Sequence, residues 1–239
     1  YEKKLLCVVG SRKFSNYGKE AVEYLLGGLR GFPITIISGL ALGIDSIAHR
    51  AALKNNLTTI AMPGSGLHPK ALHPQSHVHL AEEIVERGGS LISEMAPEEK
   101  ASLFMHDTAQ KRVFWSFPRR NRLMVGFSDA VLVIEAGFKS GTLITARLST
   151  DYNRELLVVP GSIFSSASEG ANMLLRLGAA PARCPEDILE ALHMDTLPFP
   201  NKPGKKGAAK NYSDCSKEEL KIIELLAEPK ERDELLRLL

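Results

Sequence analysis

The sequence predicts an α/β fold with a Rossmann-like, doubly wound and mostly parallel sheet, helices on both of its faces, and a small helical fragment at the C-terminal end. Short apolar runs alternate with segments whose apolar residues recur at helical spacing, a pattern typical of a parallel sheet with helical crossovers. Most of these runs end at glycine or another small residue. At 239 residues, of which 44% are hydrophobic, the chain is long enough to bury one core.

The first predicted strand, Leu5 to Val9, is a short continuous apolar run, as expected for a buried parallel strand. The first run stops at Gly10, the second at Ser38 and the third at Pro63. The six predicted strands are 5–9, 34–37, 58–62, 90–93, 131–134 and 156–159.

The predicted helices lie between these strands. The first begins near Ser15 and Asn16, which can cap a helix, and ends before Gly31-Phe32-Pro33. The others follow from apolar residues at helical spacing. They are 44–54, 75–87, 119–127, 142–152 and 186–192.

The composition changes after residue 194. Residues 195–212 contain several prolines and lysines and little that can pack, which predicts a linker after a core of residues 1–194. In residues 213–239, apolar side chains at helical spacing predict the start of a small helical module.

Cationic residues cluster around Phe117-Pro118-Arg119-Arg120-Asn121-Arg122. The stretch 111–122 contains Lys111, Arg112, Arg119, Arg120 and Arg122 and no acidic residue, which predicts an anion site or its edge. The net charge of the whole chain is only +2, so the prediction of an anion site depends on this local clustering. In one alternative, Arg119 or Arg122 braces Glu94 or Glu135 and does not touch the anion.

Small-residue turns are predicted to complete this anion site, because ligands of such sheets bind at the carboxyl ends of the strands. Gly10-Ser11-Arg12 offers close backbone approach, a hydroxyl and a forked guanidinium. Ser140-Gly141-Thr142 opens a helix beside Lys139 and offers backbone N–H groups. A plain glycine turn and an ordinary helix cap are the structural alternatives. Ser38-Gly39 and Gly64-Ser65-Gly66 are predicted to line the same crevice.

No catalytic residue, metal or cofactor is predicted. Asp45 and His49 stand four apart and can form a hydrogen-bonded pair, for which we favour a structural role over an acid–base dyad. Four histidines, at 68, 73, 77 and 79, are interpreted as a solvated or anion-facing surface, since no acidic or cysteine ligands accompany them. Three widely spaced cysteines indicate a reducing, cytoplasmic location. No segment of the sequence is apolar enough to span a membrane.

Several motifs, taken together, resemble the bacterial DNA-processing protein A family, also called DprA or Smf. The resemblance covers roughly residues 5–192. The motifs that carry it are Val9-Gly10-Ser11-Arg12, Ser38-Gly39-Leu40-Ala41, Gly64-Ser65-Gly66-Leu67, Phe117-Pro118-Arg119-Arg120-Asn121-Arg122, Lys139-Ser140-Gly141-Thr142 and Val159-Pro160-Gly161.

The resemblance implies a core that binds single-stranded DNA, forms a homodimer and helps to load the RecA recombinase in natural transformation, without being an enzyme. It also implies that Arg12 and Lys139 contact DNA phosphates, and that residues 213–239 begin a winged-helix-like domain. The expected DNA-binding residues are Gly10, Ser11, Arg12, Ser38, Gly39, Gly64, Gly66, Arg119, Arg120, Asn121, Arg122, Lys139, Ser140, Gly141 and Thr142.

For the dimerisation segment and for the function, an alternative interpretation of the sequence remains open. The segment with Asn172, Leu174, Leu175 and Leu177 resembles the family's dimerisation segment, and a plain core helix explains its amphipathic pattern equally well. The alternative function is a related nucleotide-binding Rossmann enzyme that hydrolyses the N-glycosidic bond of nucleoside monophosphates. The double-glycine turn of those enzymes is replaced here by Gly137-Phe138-Lys139-Ser140-Gly141-Thr142.

Overall fold

The computed structural model describes residues 3–101, 104–105, 112–113, 116–138 and 140–194. All of them belong to the first unit of the chain, Tyr1–Thr196. The predicted linker and the predicted C-terminal module lie outside the described residues and stay predictions, as do the structural expectations for Lys139.

The main sheet contains seven strands that all pair in parallel. A separate antiparallel pair, β5 and β6, was not predicted. The strands are β1 Lys4–Val9, β2 Ile34–Ser38, β3 Thr58–Ala61, β4 Ser90–Leu91, β5 Phe104–Met105, β6 Arg112–Val113, β7 Ala130–Val133, β8 Glu155–Val158 and β9 Ala180–Pro181. All six predicted strands are present, and β9 is an addition.

The helices are α1 Asn16–Gly28, α2 Ile44–Lys54, α3 Val78–Glu86, α4 Ser116–Phe127, α5 Thr142–Asp151, α6 Glu169–Arg176 and α7 Pro185–Ala191. Helix α4 begins three residues before its predicted start at Arg119, because Pro118 falls in the first turn, where a missing N–H breaks no helical bond. A single 3-10 turn, Gln75–His77, precedes α3, so the predicted helix start at Gln75 was early.

Helices cover both faces of the sheet. Along β1, Leu6 and Val8 belong to a core cluster with residues of α1, α2 and α7. The alternate residues, Cys7 and Val9, belong to a second cluster with residues of α4, α5 and α6. This alternation shows β1 buried from both sides and confirms the doubly wound fold.

The strand order is β4-β3-β2-β1-β7-β8-β9. The chain therefore builds outward from β1 to β4 on one side, returns to the centre, and builds outward again from β7 to β9. Where the direction reverses, between β1 and β7, the connections leave the sheet in opposite directions and open a crevice at the carboxyl ends. The fold thus brings the turns after β1 and after β7 to one place.

Candidate functional site

A cavity of about 520 Å³, here called the crevice, lies at this reversal of strand order. Residues that follow β1 form one wall, and the beginnings of α4 and α5 form the others. Ten of the residues that line the crevice are Gly10, Ser11, Arg12, Asp45, Phe117, Arg120, Asn121, Ser140, Gly141 and Thr142. The two turns predicted to complete an anion site therefore meet.

The turn after β1 is held tightly against α2. A Cβ on Gly10 would lie 2.7 Å from Cγ1 of Ile44, so only glycine fits there. The hydroxyl of Ser11 donates to the carbonyl of Lys13 at 2.7 Å and accepts its N–H at 3.0 Å. Ser11 therefore shapes the turn and leaves the next side chain, Arg12, exposed.

Arg12 stacks on an aromatic ring of the opposite wall. Its guanidinium carbon lies 5.1 Å from the ring centroid of Phe117, within the range of a cation–π contact. Such a contact uses the face of the guanidinium and leaves its N–H edges able to donate to anionic oxygens. Arg12 is thus an oriented cation at the mouth of the crevice.

The beginning of α5 supplies the facing wall. The hydroxyl of Ser140 donates to Oγ1 of Thr142 at 2.9 Å and accepts the Thr142 N–H at 3.2 Å. Gly141 is the N-cap, and a Cβ on it would meet nothing within 4 Å. The N–H groups of Thr142, Leu143 and Ile144 already donate within this turn, so these expected backbone donors are occupied. What the turn offers is an unobstructed approach at Gly141 to the positive end of the helix dipole.

Arg120 differs from the other arginines of its block because it is buried. It donates to the carbonyls of Gly39, at 2.7 Å, and Met62, and its Nε donates to Asn121 Oδ1 at 3.2 Å. Burial lowers the pKa of Arg120, while the nearby Asp45 carboxylate acts in the opposite direction. Arg120 ties α4 to the ends of β2 and β3, a role that sequence reasoning did not separate from anion contact.

Asp45 is a buried carboxylate in the wall of the crevice. It accepts the N–H groups of Gly39 at 3.1 Å and Ala41 at 3.4 Å. Burial raises its pKa, while Arg120 and the two N–H groups act in the opposite direction. A Cβ on Gly39 would lie 2.5 Å from Asp45 Oδ2 and 2.6 Å from Arg120 Nη1, so Gly39 is needed for packing.

The possible pair between Asp45 and His49 is not formed. His49 lies wholly buried, and its Nδ1 shares a 2.7 Å hydrogen bond with Oγ1 of Thr59. Burial, together with the charges of His77 and Arg120, lowers the pKa of His49 to about 3. A neutral, buried imidazole of this kind is a structural element beneath the crevice.

Arg119 and Arg122 share one carboxylate. Arg122 Nη2 donates to Glu94 Oε1, and Arg119 Nε lies 3.8 Å from Glu94 Oε2. The contact with Glu94 that this alternative expected is present. Glu135, the other candidate, instead accepts two hydrogen bonds from Ser15. The two exposed arginines are thus partly neutralised by Glu94.

Six predicted site residues that the structure describes lie outside the lining of the crevice: Gly39, Arg119 and Arg122, described above, and Ser38, Gly64 and Gly66. The hydroxyl of Ser38 is buried and donates to the carbonyl of Val8 at 2.7 Å. A Cβ on Gly64 would lie 2.5 Å from Phe117 Cδ1, and one on Gly66 would lie 2.1 Å from the carbonyl of Ala96. The expectation that Ser38, Gly64 and Gly66 line the crevice is corrected, because their small size serves close packing.

The histidines do not form one surface. His77 is buried and its Nδ1 lies 2.8 Å from the carbonyl oxygen of Leu40, whereas His79 is exposed beside Glu82. Within the described ranges, no group of histidine, cysteine or acidic side chains is arranged to hold a metal. The same part of the chain contains no helix that could span a membrane.

The predicted dimerisation residues have different surroundings. The side-chain amide of Asn172 donates to the carbonyl of Gly161 at 3.2 Å and accepts its N–H at 3.4 Å. Leu174 is buried in the core and Leu175 packs partly against it. Leu177 is 72% exposed. Asn172 and Leu174 are therefore used within the fold, and Leu177 faces solvent.

Two long-range contacts were missed by sequence reasoning: the support that Phe117 gives to Arg12 inside the crevice, and the joining of Glu135 to Ser15. The sequence places Phe117 in the arginine block, beside the cations, but does not pair it with Arg12. The second joins residues 120 positions apart and has no local signal.

Comparison with known proteins places these features in a family. A family model described as DNA recombination-mediator protein A matches residues 1–193. The chain is 39% identical to Protein Smf of Escherichia coli over 93% of its own length and 55% of that protein. It is 35% identical to the DNA processing protein DprA of Streptococcus pneumoniae over 77% of its length and 60% of that protein. The chain thus spans a little over half of these relatives.

Solved structures agree with these sequence matches. DNA processing protein A of Streptococcus pneumoniae superposes with a TM-score of 0.68 at 34% identity, over 79% of this chain and 61% of that one. The protein of the same name from Helicobacter pylori, whose structure is described for its single-stranded DNA binding mode, gives 0.64 at 28% identity, over 80% and 81%. A molybdenum cofactor binding protein from Rippkaea orientalis, 15% identical with a TM-score of 0.52 over 80% and 96%, shares the fold alone.

Proposed function

Since the chain belongs to the DNA recombination-mediator protein A family, we propose that it binds single-stranded DNA, with the phosphates of the strand in the crevice. The observation that carries the proposal is the meeting of Arg12 with the glycine-capped N-terminus of α5 across one cavity. A guanidinium and a helix N-terminus both favour anionic oxygens. The crevice is therefore lined by two groups that can bind a phosphate backbone, the guanidinium of Arg12 and the N-terminus of α5.

The path of the strand follows from which cations are exposed. Arg12 and Lys13 are exposed beside the first turn, while Arg120 is buried and occupied by backbone carbonyls. We assign the phosphate contacts to Arg12 and to residues 140–142, with Lys139 next to them. Arg119 and Arg122 contribute after a phosphate displaces Glu94.

Binding of this kind tolerates sequence, because every nucleotide carries the same phosphate. If about three or four phosphates are neutralised, the logarithm of the affinity falls with the logarithm of salt concentration at a slope near −2 to −3. The test measures binding of single-stranded and double-stranded oligonucleotides at two salt concentrations. We expect tighter binding of the single strand and this slope. An affinity that does not change with salt contradicts the proposal.

We propose binding and no hydrolysis for the crevice. The carboxylate of Asp45 lines it, and its Oδ2 already accepts two backbone N–H groups that position the turn after β2. Incubation with nucleoside monophosphates tests the alternative enzyme directly. Release of free base, lost in an Asp45→Asn variant, would replace our proposal with glycosidic hydrolysis.

The remaining roles are proposals that rest on the family. The family model is described as a recombination mediator, which supports a recombinase of the RecA type as the protein partner in the cytoplasm. For a homodimer we propose the surface that carries Leu177, together with the exposed Ile163 and Phe164 of the preceding loop. These three apolar side chains are unfavourable in water and become buried when two copies meet.

A further inference from the structure

A second groove of about 400 Å³, here called the tyrosine groove, lies between α1 and the chain that follows β8 and β9. Tyr17 and Tyr24 of α1 form one side, and Pro160 and Arg183 lie on the other. None of these residues was assigned to the crevice.

The tyrosine groove continues the edge of the sheet on which the crevice opens. The strand order β1-β7-β8-β9 places the ends of β8 and β9 next to the reversal point. Tyr17 lies in the first turn of α1 and joins the two sides of the groove, because its hydroxyl donates to the carbonyl of Pro160 at 2.6 Å. Two residues earlier, Ser15 bonds to Glu135 at the end of β7. Tyr17 is also the groove residue that follows the crevice turn most closely in the sequence, four positions after Lys13.

Both tyrosines present aromatic surface to solvent, with Tyr17 50% and Tyr24 59% exposed. Seven residues apart, they lie close to the same side of α1, roughly 10 Å from each other along its axis. Leu25 and Val159, both buried, contribute apolar floor between the two sides. Unpaired bases stack on exposed aromatic rings whatever their sequence.

The charges of the tyrosine groove suit bases better than phosphates. Arg183 is held by Asp187, with Nε 3.1 Å from Oδ2 and Nη2 2.9 Å from Oδ1. Glu20 adds a negative charge to the rim. Because the cation is already paired, the groove offers mainly apolar and aromatic surface.

We propose that the tyrosine groove binds unpaired bases of the same DNA strand whose phosphates occupy the crevice, with Tyr24 as a stacking platform. This inference rests on the proposed function. In this arrangement, the crevice binds the phosphates and the tyrosine groove binds the bases that follow along the strand. Strands that reach beyond the crevice should therefore bind more tightly than their extra phosphates explain.

The test compares the full chain with its Tyr24→Ala and Tyr24→Phe variants. The probes are oligothymidylates of about four and about sixteen nucleotides, the limits of the range for single-strand grooves, and a long abasic strand. We expect Tyr24→Ala to weaken binding of the long base-bearing strand about 5- to 30-fold. The short strand and the abasic strand should bind as to the parent, and Tyr24→Phe should restore the long strand. Tyr152→Ala, at another exposed tyrosine, is the matched control.

The outcomes distinguish failure of base binding in the tyrosine groove from failure of the proposed DNA binding as a whole. If the parent binds the long strand and Tyr24→Ala binds it equally well, the inference fails and the proposed function stands. An equal loss on the abasic strand assigns Tyr24 to backbone contact and likewise overturns the inference. If the parent binds neither length of single strand, the proposed function fails and takes the inference with it.

Discussion

Glu135 accepts two hydrogen bonds from Ser15, one from its N–H at 2.9 Å and one from its hydroxyl at 2.5 Å. Glu135 follows β7 and is almost fully buried, and Ser15 is the N-cap of α1, where its hydroxyl oxygen also accepts the N–H of Gly18 at 3.2 Å. The segment that follows β7 and the start of α1 are therefore joined across 120 residues of sequence.

A Glu135→Gln substitution should weaken the contact between Glu135 and Ser15. The amide NH₂ replaces one of the two carboxylate oxygens that accept from the N–H and the hydroxyl of Ser15. We expect the free energy of unfolding to fall by about 1 to 3 kcal/mol, the usual cost of an unsatisfied buried group. Urea denaturation measures it. Glu155→Gln, at an exposed carboxylate, is the control. Equal stability of the two variants would show that this contact carries little energy.

Removing the oriented cation should affect every DNA sequence alike. We expect Arg12→Ala to weaken single-strand binding about 10-fold and to reduce the magnitude of the salt slope by about 0.7, the value for one phosphate contact. Arg12→Lys should keep the slope and recover only part of the affinity, since lysine lacks the forked donors. Arg30→Ala removes an exposed cation elsewhere and serves as the control. An unchanged slope in Arg12→Ala would remove this residue from the interface.

Neutralising Glu94 should have the opposite effect. In Glu94→Gln, no carboxylate balances the charges of Arg119 and Arg122. A phosphate can then approach the two guanidinium groups without first breaking an ion pair. We expect single-strand affinity to rise about 2- to 5-fold and the salt slope to steepen. Glu98→Gln, an exposed carboxylate nearby, controls for the change in net charge. Equal gains in both variants would mean that only the overall charge matters.

The buried His49 should make stability depend on pH. Its pKa is about 3 in the folded chain against an ordinary value of 6.5, so the unfolded state binds more protons between these values. The free energy of unfolding should be full above pH 6.5 and fall towards pH 3 by up to about 1.4 kcal/mol per unit.

Urea titrations at successive pH values, with His49→Gln for comparison, test this dependence. Asp45, whose pKa burial raises, contributes with the opposite sign and is present in both proteins. The difference between the two proteins at each pH therefore isolates His49. Parallel curves for the two proteins would contradict the prediction.

The proposed dimer surface gives a contrast within one short segment. Leu177→Glu places a charge on an exposed position and should convert the dimer to monomer while the chain stays folded. Leu174→Ala, in the core, should instead lower stability by about 2 to 5 kcal/mol. Light scattering and thermal unfolding separate the two effects. Val85→Glu, at an exposed apolar residue of α3, is the control, and a dimeric Leu177→Glu would exclude this surface.

Local patterns were sufficient for most of the fold. Short, mostly apolar runs located the six strands, of which β1, β2 and β7 are the most deeply buried. Strand β9, only two residues long and including Pro181, has no such run, and it exists because it pairs with β8. The early start of α4 was hidden for a similar reason: Pro118 normally marks the end of a helix pattern, and its place in the first turn depends on the neighbouring structure.

By itself, the sequence determined the doubly wound sheet, the positions of its turns, and a family resemblance whose motifs lie at those turns. Only the tertiary structure decided which members of each motif face solvent. Arg12 and Arg120 are the same residue type and both belong to motifs expected to bind an anion, yet one is exposed over Phe117 and the other is buried against backbone carbonyls. The physical reason is that a guanidinium acts as a ligand for DNA or as a structural donor according to its burial, and burial is a property of packing between distant segments.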